Sequence, residues 1–390
     1  MVFPQRPEWC VLGPRARARV FFFVFFAGAS ALLPFLALFY RGEGVSEGRI
    51  GVLTGLQPLA VLFGSAIWGA VADYTQRHKT VMLSLIIAVA LAASVLSAGG
   101  AFPRLFLLVL VFAFFFAPIV PLADNAVLHV LGDDADRFGK LRMWGGVGWG
   151  GMAAAVGWLI ESYGIEWSFY MFVFGMGLSF VAARGLPPPR VTLGTRFFTA
   201  LRELLATAGW VPFLFAVFLG GVGLGVMHNY LFLYLQDIGA GGRVMGVSMT
   251  VATAAELSFF FYADRLLTRF GPRRLLQIAL LAGALRLLLY SVTSMPASVL
   301  VIQVLHGPAF GLLYVSGVAF AYRNAPDGLG ATAQGVVNGM NFGLGAFVGA
   351  LSGGFLYEAL GPFVMFRITG LILAVPALLI LRPSPRSRSA

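Results

Sequence analysis

Charged side chains are scarce in this sequence: 11% of its 390 residues are Asp, Glu, Lys or Arg, against roughly a quarter in an ordinary soluble domain. A chain this poor in charge and 59% hydrophobic cannot cover a water-facing surface, which excludes a soluble domain of any size. Cysteine is nearly missing, and Cys10 alone can form no internal disulfide, so redox compartment is not legible. A phosphate-cradling loop is missing too. The stretch Gly132 to Lys140 has the wrong spacing and Leu141 follows the lysine, which argues against an ATP-driven pump. No Cys/His cluster has metal-ligand spacing, and no nucleophile stands with a base and an orienting acid. The sequence therefore predicts no cofactor, no metal and no enzymatic chemistry.

Long apolar runs are what the chain has instead. A membrane-crossing helix needs about 20 apolar residues, and breaks of charge, glycine or proline divide the sequence into runs of that size. They cover 20–40, 50–72, 80–98, 104–129, 142–161, 167–184, 209–236, 244–263, 274–293, 298–323, 332–357 and 362–381. The first follows four arginines as a signal peptide would, but it is too long for one and lacks a small-residue cleavage site. It reads as the first of twelve spans. Most Lys and Arg then fall on the side of the two termini, with only Arg41, Arg49, Arg104 and Arg243 opposite and Arg286 and Arg367 inside spans. The excess marks the cytoplasmic side. Both termini are expected in the cytoplasm of a multi-pass inner-membrane protein, and the net charge of +11 becomes a mark of topology rather than of a nucleic-acid partner. Membrane lipids are the expected surroundings and a monomer the expected state.

The longest connection, 185–208, opens Gly185-Leu186-Pro187-Pro188-Pro189 and continues with mixed apolar and basic residues, the pattern of a hinge followed by an interfacial amphipathic helix. It separates six spans in 1–184 from six in 209–390. The halves echo one another. Ala72-Asp73 with Arg77 and Lys79 recurs about half the chain later as Ala263-Asp264 with Arg269, Arg273 and Arg274, as a parallel repeat of six helices requires. These helix-end groups, Asp73, Arg77, Lys79, Asp264, Arg269 and Arg273, suit salt bridges between the halves that close a cytoplasmic gate.

An ionisable group inside a span costs about 2.5–3.5 kcal/mol on insertion scales and marks a functional candidate. The candidates are Asp124, His129, His228, Glu256, Arg286, His306 and Arg367, with Arg142 at the start of a span. Pro118 and Pro121 kink the helix before Asp124-Asn125, and a short loop then leads to Arg142, Trp144 and Trp149. Two antiparallel helices so joined can bring Asp124 against Arg142, giving either a site for a polar solute or a structural ion pair. Glu256, Arg286 and His306 form a second set, either a proton switch or a self-satisfying Glu256–Arg286 pair. His228-Asn229-Tyr230, with Tyr234 and Gln236, interrupts span 7 with polar groups that read as gate and substrate contact or as packing. Gln57, Asn338 and Asn341 could line a cavity or bond between helices. Glycines at every fourth residue, Gly335, Gly339 and Gly343, then Gly345, Gly349 and Gly353, allow close helix contact.

Gly69 to Asp73 with Arg77 and Lys79 resembles the signature loop of the major facilitator superfamily, and the resemblance extends over the whole chain in span count and repeat. It implies an all-α membrane fold of twelve helices in two bundles that rock about a central site. The segment from Pro118 to Trp149 resembles two of its families, the lactose-permease-type oligosaccharide:proton symporters and the phenylpropionate-permease-type transporters. That likeness implies that Asp124 and Arg142 bind substrate, that Trp149 stands where a sugar ring stacks, and that Glu256 joins binding to proton coupling with Arg286 and His306 beside it. The chain departs from lactose permeases at Ala309, where they carry a second carboxylate, near Phe342, where they carry a lysine, and in span 7, which lacks their aspartates. Glu256 is left as the foremost proton carrier and Asp124 as the second. The expected protein is a secondary transporter that imports a small organic solute, a saccharide, glycoside or aromatic acid, with protons. A drug or lipid exporter, suggested by 37 phenylalanines, and a non-transporting receptor are the alternatives.

Overall fold

A computed structural model describes residues 13–131, 134, 138–186, 197–326 and 329–379. Cys10 and the three prolines expected to form the hinge lie outside the described residues. Among those residues the chain is all helix, without a strand. The long helices are α1 (Pro14–Gly42), α2 (Glu47–Thr75), α3 (His78–Leu96), α4 (Phe102–Leu131), α5 (Phe138–Tyr163), α6 (Glu166–Ala183), α7 (Trp210–Asp237), α8 (Gly242–Phe261), α9 (272–290), α10 (Pro296–Asn324), α11 (330–360) and α12 (362–379). The helix Phe197–Ala206 lies between α6 and α7, where the amphipathic segment was expected. Nine of the described helices are long and apolar enough to cross a membrane, and one of these holds α11 and α12 together. Helices α5 and α9 fall below that measure because glycines dilute the first and arginines the second.

The breaks have local causes. Gly271 (φ 73°) and Gly361 (φ 78°) adopt backbone angles that side chains with a Cβ rarely reach, and each turns the chain sharply into the next helix. In α4 a turn at Ala117 and Pro118 interrupts the helix just before Pro121, placing Asp124 on a separate leg. Proline is tolerated at 103 and 296 because each lies in a first helical turn, where its missing N–H has no partner to lose.

Within the first half α1 packs on α5 and α6, α2 on α4, and α3 on α4 and α6; within the second, α7 and α9 pack on α11 and α12, and α8 on α10. The halves meet along two seams, α2 against α11 and α5 against α8. The second seam depends on missing side chains: a Cβ on Gly246 would collide with the Ala153 carbonyl oxygen, and one on Gly157 with the Gly242 carbonyl oxygen.

Polar bridges between the halves gather at the end remote from the N-terminus. Arg41 Nη1 donates to Asp237 Oδ1 at 2.6 Å and its Nη2 to Glu47 Oε1 at 3.0 Å, while the Tyr357 hydroxyl donates to Asp237 Oδ2 at 2.5 Å. Arg243 Nε stands 3.2 Å from Glu161, and the Gly48 N–H donates to Glu358 at 2.7 Å. At the end that carries the N-terminus no ion pair between the halves occurs among the described residues. Asp73 bonds His78 of its own loop at 2.8 Å, Lys79 donates to the Arg184 carbonyl at 2.6 Å, Arg273 lies over Phe320, and Arg77, Asp264 and Arg269 are exposed. The bridges expected from these six residues are thus not formed in this conformation, which is latched at the far end and unlatched at the N-terminal end. Gly246→Leu should wedge the α5–α8 seam open. In a protein with Cys10→Ser and His228→Cys, an impermeant thiol reagent applied from the far side should label several times faster when Gly246→Leu is added. An unchanged rate would show that the seam does not seal that side.

Candidate functional site

Asp124, on the second leg of α4, and Arg142, one turn into α5, are brought together as expected. Nε of Arg142 lies 3.6 Å from Asp124 Oδ1, with each side chain about 30% exposed; the separation is an ion pair and too long for a hydrogen bond. Asp124 Oδ1 is buried without a hydrogen-bond partner. Arg142 is held from behind by aromatic faces, its guanidinium 4.1 Å from the Phe26 ring centre and 5.3 Å from that of Phe22. Cation–π contact fixes the plane of the group and leaves its N–H edge for Asp124 or a ligand. Phe26 also meets half-buried Trp149 at 6.5 Å, so Trp149 shares the wall behind Arg142. Asn125 is exposed and has no hydrogen-bond partner among the described residues.

Across the seam stands Glu256 of α8. Arg142, paired with Asp124 of its own half, also lies within electrostatic range of Glu256 of the other half, without an ion-pair contact to it. Glu256 Oε2 is 3.6 Å from His306 Nε2 of α10. Helices α8 and α10 come this close because α10 places Gly307 and Gly311 against α8: a Cβ on Gly307 would meet the Ala255 carbonyl and one on Gly311 the Phe259 side chain.

The direct Glu256–Arg286 pair considered from the sequence does not form. Arg286 is 3% exposed and turns to neutral partners: Nη1 faces His306 Nδ1 at 2.9 Å, Nη2 donates to Gln303 Oε1, and Nε donates to the Tyr290 hydroxyl at 3.3 Å. A guanidinium can only donate, so His306 Nδ1 must accept and the ring proton sits on Nε2, aimed at Glu256. Arg286 therefore acts on Glu256 through His306, by fixing its tautomer. Neither Gln303 nor Tyr290 was singled out from the sequence, where both sit in apolar runs. His228 of α7 completes this side, exposed and within electrostatic reach of His306 and Arg286. Its neighbours are committed elsewhere. Asn229 donates to the Gly225 carbonyl of its own helix at 2.7 Å, and the buried Tyr230 hydroxyl donates to the Ala350 carbonyl of α11 at 2.5 Å. Tyr230 is thereby a packing group on α11 rather than a free substrate contact. Tyr314 of α10, also overlooked, lies within electrostatic reach of Asp124, Arg142 and Glu256 together.

No group of three or more His, Cys, Asp or Glu residues that could hold a metal occurs among the described residues. The arrangement sets two carboxyl groups, a guanidinium and two imidazoles about the seam of the helical halves, groups that can hydrogen-bond a polar solute and exchange protons.

A helical membrane scaffold with charged groups facing one another across the seam of two halves defines a transporter of the major facilitator type. The chain belongs to the MFS_1 like family, whose model matches residues 16–368. It is 29% identical to the maltose permease of Geobacillus stearothermophilus over 97% of this chain and 98% of that one. It is 24% identical to a probable 3-phenylpropionic acid transporter of Escherichia coli (strain K12), with the same coverage of 97% and 98%. Among solved structures, the nucleoside transporter NupG superposes with a TM-score of 0.80 at 19% identity, over 96% of this chain and 100% of that one. The protein is a multi-pass membrane transporter for a small molecule, and its relatives are transporters rather than enzymes.

Proposed function

We propose that the protein is a proton-coupled symporter that imports a saccharide or glycoside by alternating access. The observation that carries this reading is the placement of two carboxyl groups about one guanidinium: Arg142 pairs with Asp124 at 3.6 Å and lies within electrostatic range of Glu256, which contacts His306 instead, and it can pair fully with one carboxylate at a time. The other carboxyl is the place for a proton. Because Arg142 and Asp124 belong to the first half and Glu256 to the second, rocking of the halves changes the distance between Arg142 and Glu256, which ties proton release to the opening of one side. Residues 1–184 and 209–390 act as the two rocking bodies, joined by 185–208. Substrate hydroxyls meet Asp124, Arg142 and His228, with Asn125 and Trp149 at the rim, and His306 presents its Nε2–H to Glu256.

The full-length likeness to a maltose permease supports a saccharide. An aromatic acid is the second reading, favoured by the N–H edge of Arg142 above Phe26, which can take a carboxylate as readily as a hydroxyl. With the termini in the cytoplasm of an inner-membrane protein, the conformation described is open inward and the Arg41–Asp237–Tyr357 bridge closes the outer side.

Proteoliposomes test this directly. Uptake of labelled maltose should rise several-fold when the outside is made acidic, and a protonophore should cancel the gain. Uptake indifferent to the gradient overturns the coupling, and uptake of 3-phenylpropionate without maltose overturns the saccharide.

A further inference from the structure

Helix α10 carries a feature that neither the ion pair nor the carboxyl and histidine beside it uses. His306, Phe310 and Tyr314 recur at every fourth residue, and their rings are nearly parallel: centroids are 5.3 Å apart at 4° for His306 and Phe310, and 6.3 Å apart at 19° for Phe310 and Tyr314. Parallel rings at such separations are displaced sideways rather than laid face to face. They tile a stepped strip about 12 Å long, eight residues at the helical rise. A regular α-helix would rotate the third ring away from the first, because 3.6 residues per turn does not divide four. The π-helical turn Gly307–Gly311 winds more loosely and takes up that drift, so the three rings stay on one face.

The strip has walls. Phe260 of α8 meets Phe310 at 6.5 Å and 59° and Tyr314 at 5.8 Å and 60°. Phe342, in the second π-helical stretch Gly339–Gly345 of α11, meets the same two rings at 6.1 Å and 62° and at 6.4 Å and 54°. Both cross the two rings at steep angles instead of stacking on them. Exposure rises along it, from buried His306 through half-buried Phe310 to Tyr314 at 38%. Tyr314 stands within electrostatic reach of Asp124 and Arg142 of the first half, so the exposed end faces the seam and not the lipid.

We propose that this strip is a subsite for the second ring of a two-ring solute, an aryl glycoside or a disaccharide, whose first ring is held at Asp124 and Arg142. The proposal rests on the saccharide reading above and adds residues to it. A pyranose presents C–H groups on its ring faces and hydroxyls at its edges, so a face can lie on an aromatic strip while the edges cannot. The only polar atom the exposed part of the strip offers is the Tyr314 hydroxyl. It therefore selects by flatness and apolar area, and ranks an aryl aglycone first, a second sugar next and a monosaccharide last.

Equilibrium binding to purified protein in detergent, without any gradient, tests this with methyl α-D-glucopyranoside, maltose and 4-nitrophenyl α-D-glucopyranoside. Stacking on an aromatic side chain contributes about tenfold or more in affinity. The wild type should bind the nitrophenyl glucoside at least about tenfold more tightly than the methyl glucoside, with maltose between them. Phe310→Ala should reduce that ratio below about threefold while the methyl glucoside stays within about twofold of wild type. Phe310→Leu, which keeps the volume, should do the same at an unchanged melting temperature, and Phe310→Trp should restore the preference. A wild-type ratio near one, a ratio indifferent to Phe310→Ala and Phe310→Leu, or equal loss for one-ring and two-ring probes overturns the subsite. Failure to bind any glucoside overturns the saccharide reading and the subsite together, whereas tight, ring-dependent binding without proton-driven uptake overturns only the coupling.

Discussion

Glu256→Gln is expected to abolish concentrative uptake, lowering the accumulated solute to the outside concentration, while counterflow exchange of labelled for unlabelled solute stays within about threefold of wild type. The substitution is nearly isosteric. A glutamine oxygen can occupy the place of the carboxylate oxygen that stands 3.6 Å from His306 Nε2, and the Arg286 contact that orients the histidine is untouched. What is lost is the ability to take up and release a proton. Exchange needs the loaded transporter to turn over in both directions but no net proton movement, which is why the two assays should separate. Equal loss of both would assign Glu256 to substrate binding, and retention of both would remove it from the mechanism. His306 is poorly placed to be the carrier: its Nδ1 faces a permanent cation at 2.9 Å, where a second proton would set two donors against each other.

The fold was largely legible because a membrane restricts the chain to helices whose backbone groups bond within the segment. Apolar runs and arginine placement then carry the topology, as the runs ending near Arg41 and Arg243 illustrate. The Asp124–Arg142 pair was legible for a related reason: a short loop joins their helices, so nearness along the chain becomes nearness in space. Pairing by charge alone misled at Arg286. The sequence offers Glu256 as its natural counterion, yet neutral acceptors on α9 and α10, Tyr290, Gln303 and His306, lie closer and saturate its donors. Phe310 and Tyr314 stayed hidden because an aromatic residue in an apolar helix reads the same whether it faces lipid, core or cavity; the recurrence at 306, 310 and 314 was present but could not show that the rings are parallel. The far-end latch of Arg41, Asp237 and Tyr357 is not legible because the sequence marks Arg41 only by its side of the membrane and does not show that residues about 200 and 320 positions later come beside it. The gate was sought instead in the repeated Asp73 and Asp264 loops, which hold no bridge between the halves in this conformation.

Arg142→Leu carries the second large expected effect, a loss of more than about 100-fold in solute affinity. It removes the cation paired with Asp124 and within electrostatic range of Glu256, and leaves a carboxylate whose Oδ1 is buried without a hydrogen bond. Losing the cation that meets the solute costs about 3 kcal/mol of binding, the 100-fold change at 1.4 kcal/mol per tenfold; removing one partner of a partly buried pair separately costs folding stability. That cost by itself does not distinguish a binding site from a structural ion pair, since either loses stability when half of it is deleted. The double variant Asp124→Asn with Arg142→Leu separates them. With both members of the pair neutral no charge of the pair is left uncompensated, and the melting temperature should return to within a few degrees of wild type. If the pair exists to hold solute, affinity should remain lost in that restored protein, and Arg142→Lys should be intermediate, keeping the charge over Phe26 without the two-pronged N–H edge. Affinity that recovers together with stability would show that the pair only braces α4 against α5. The site would then have to be built from Glu256, His228 and the rings of α10.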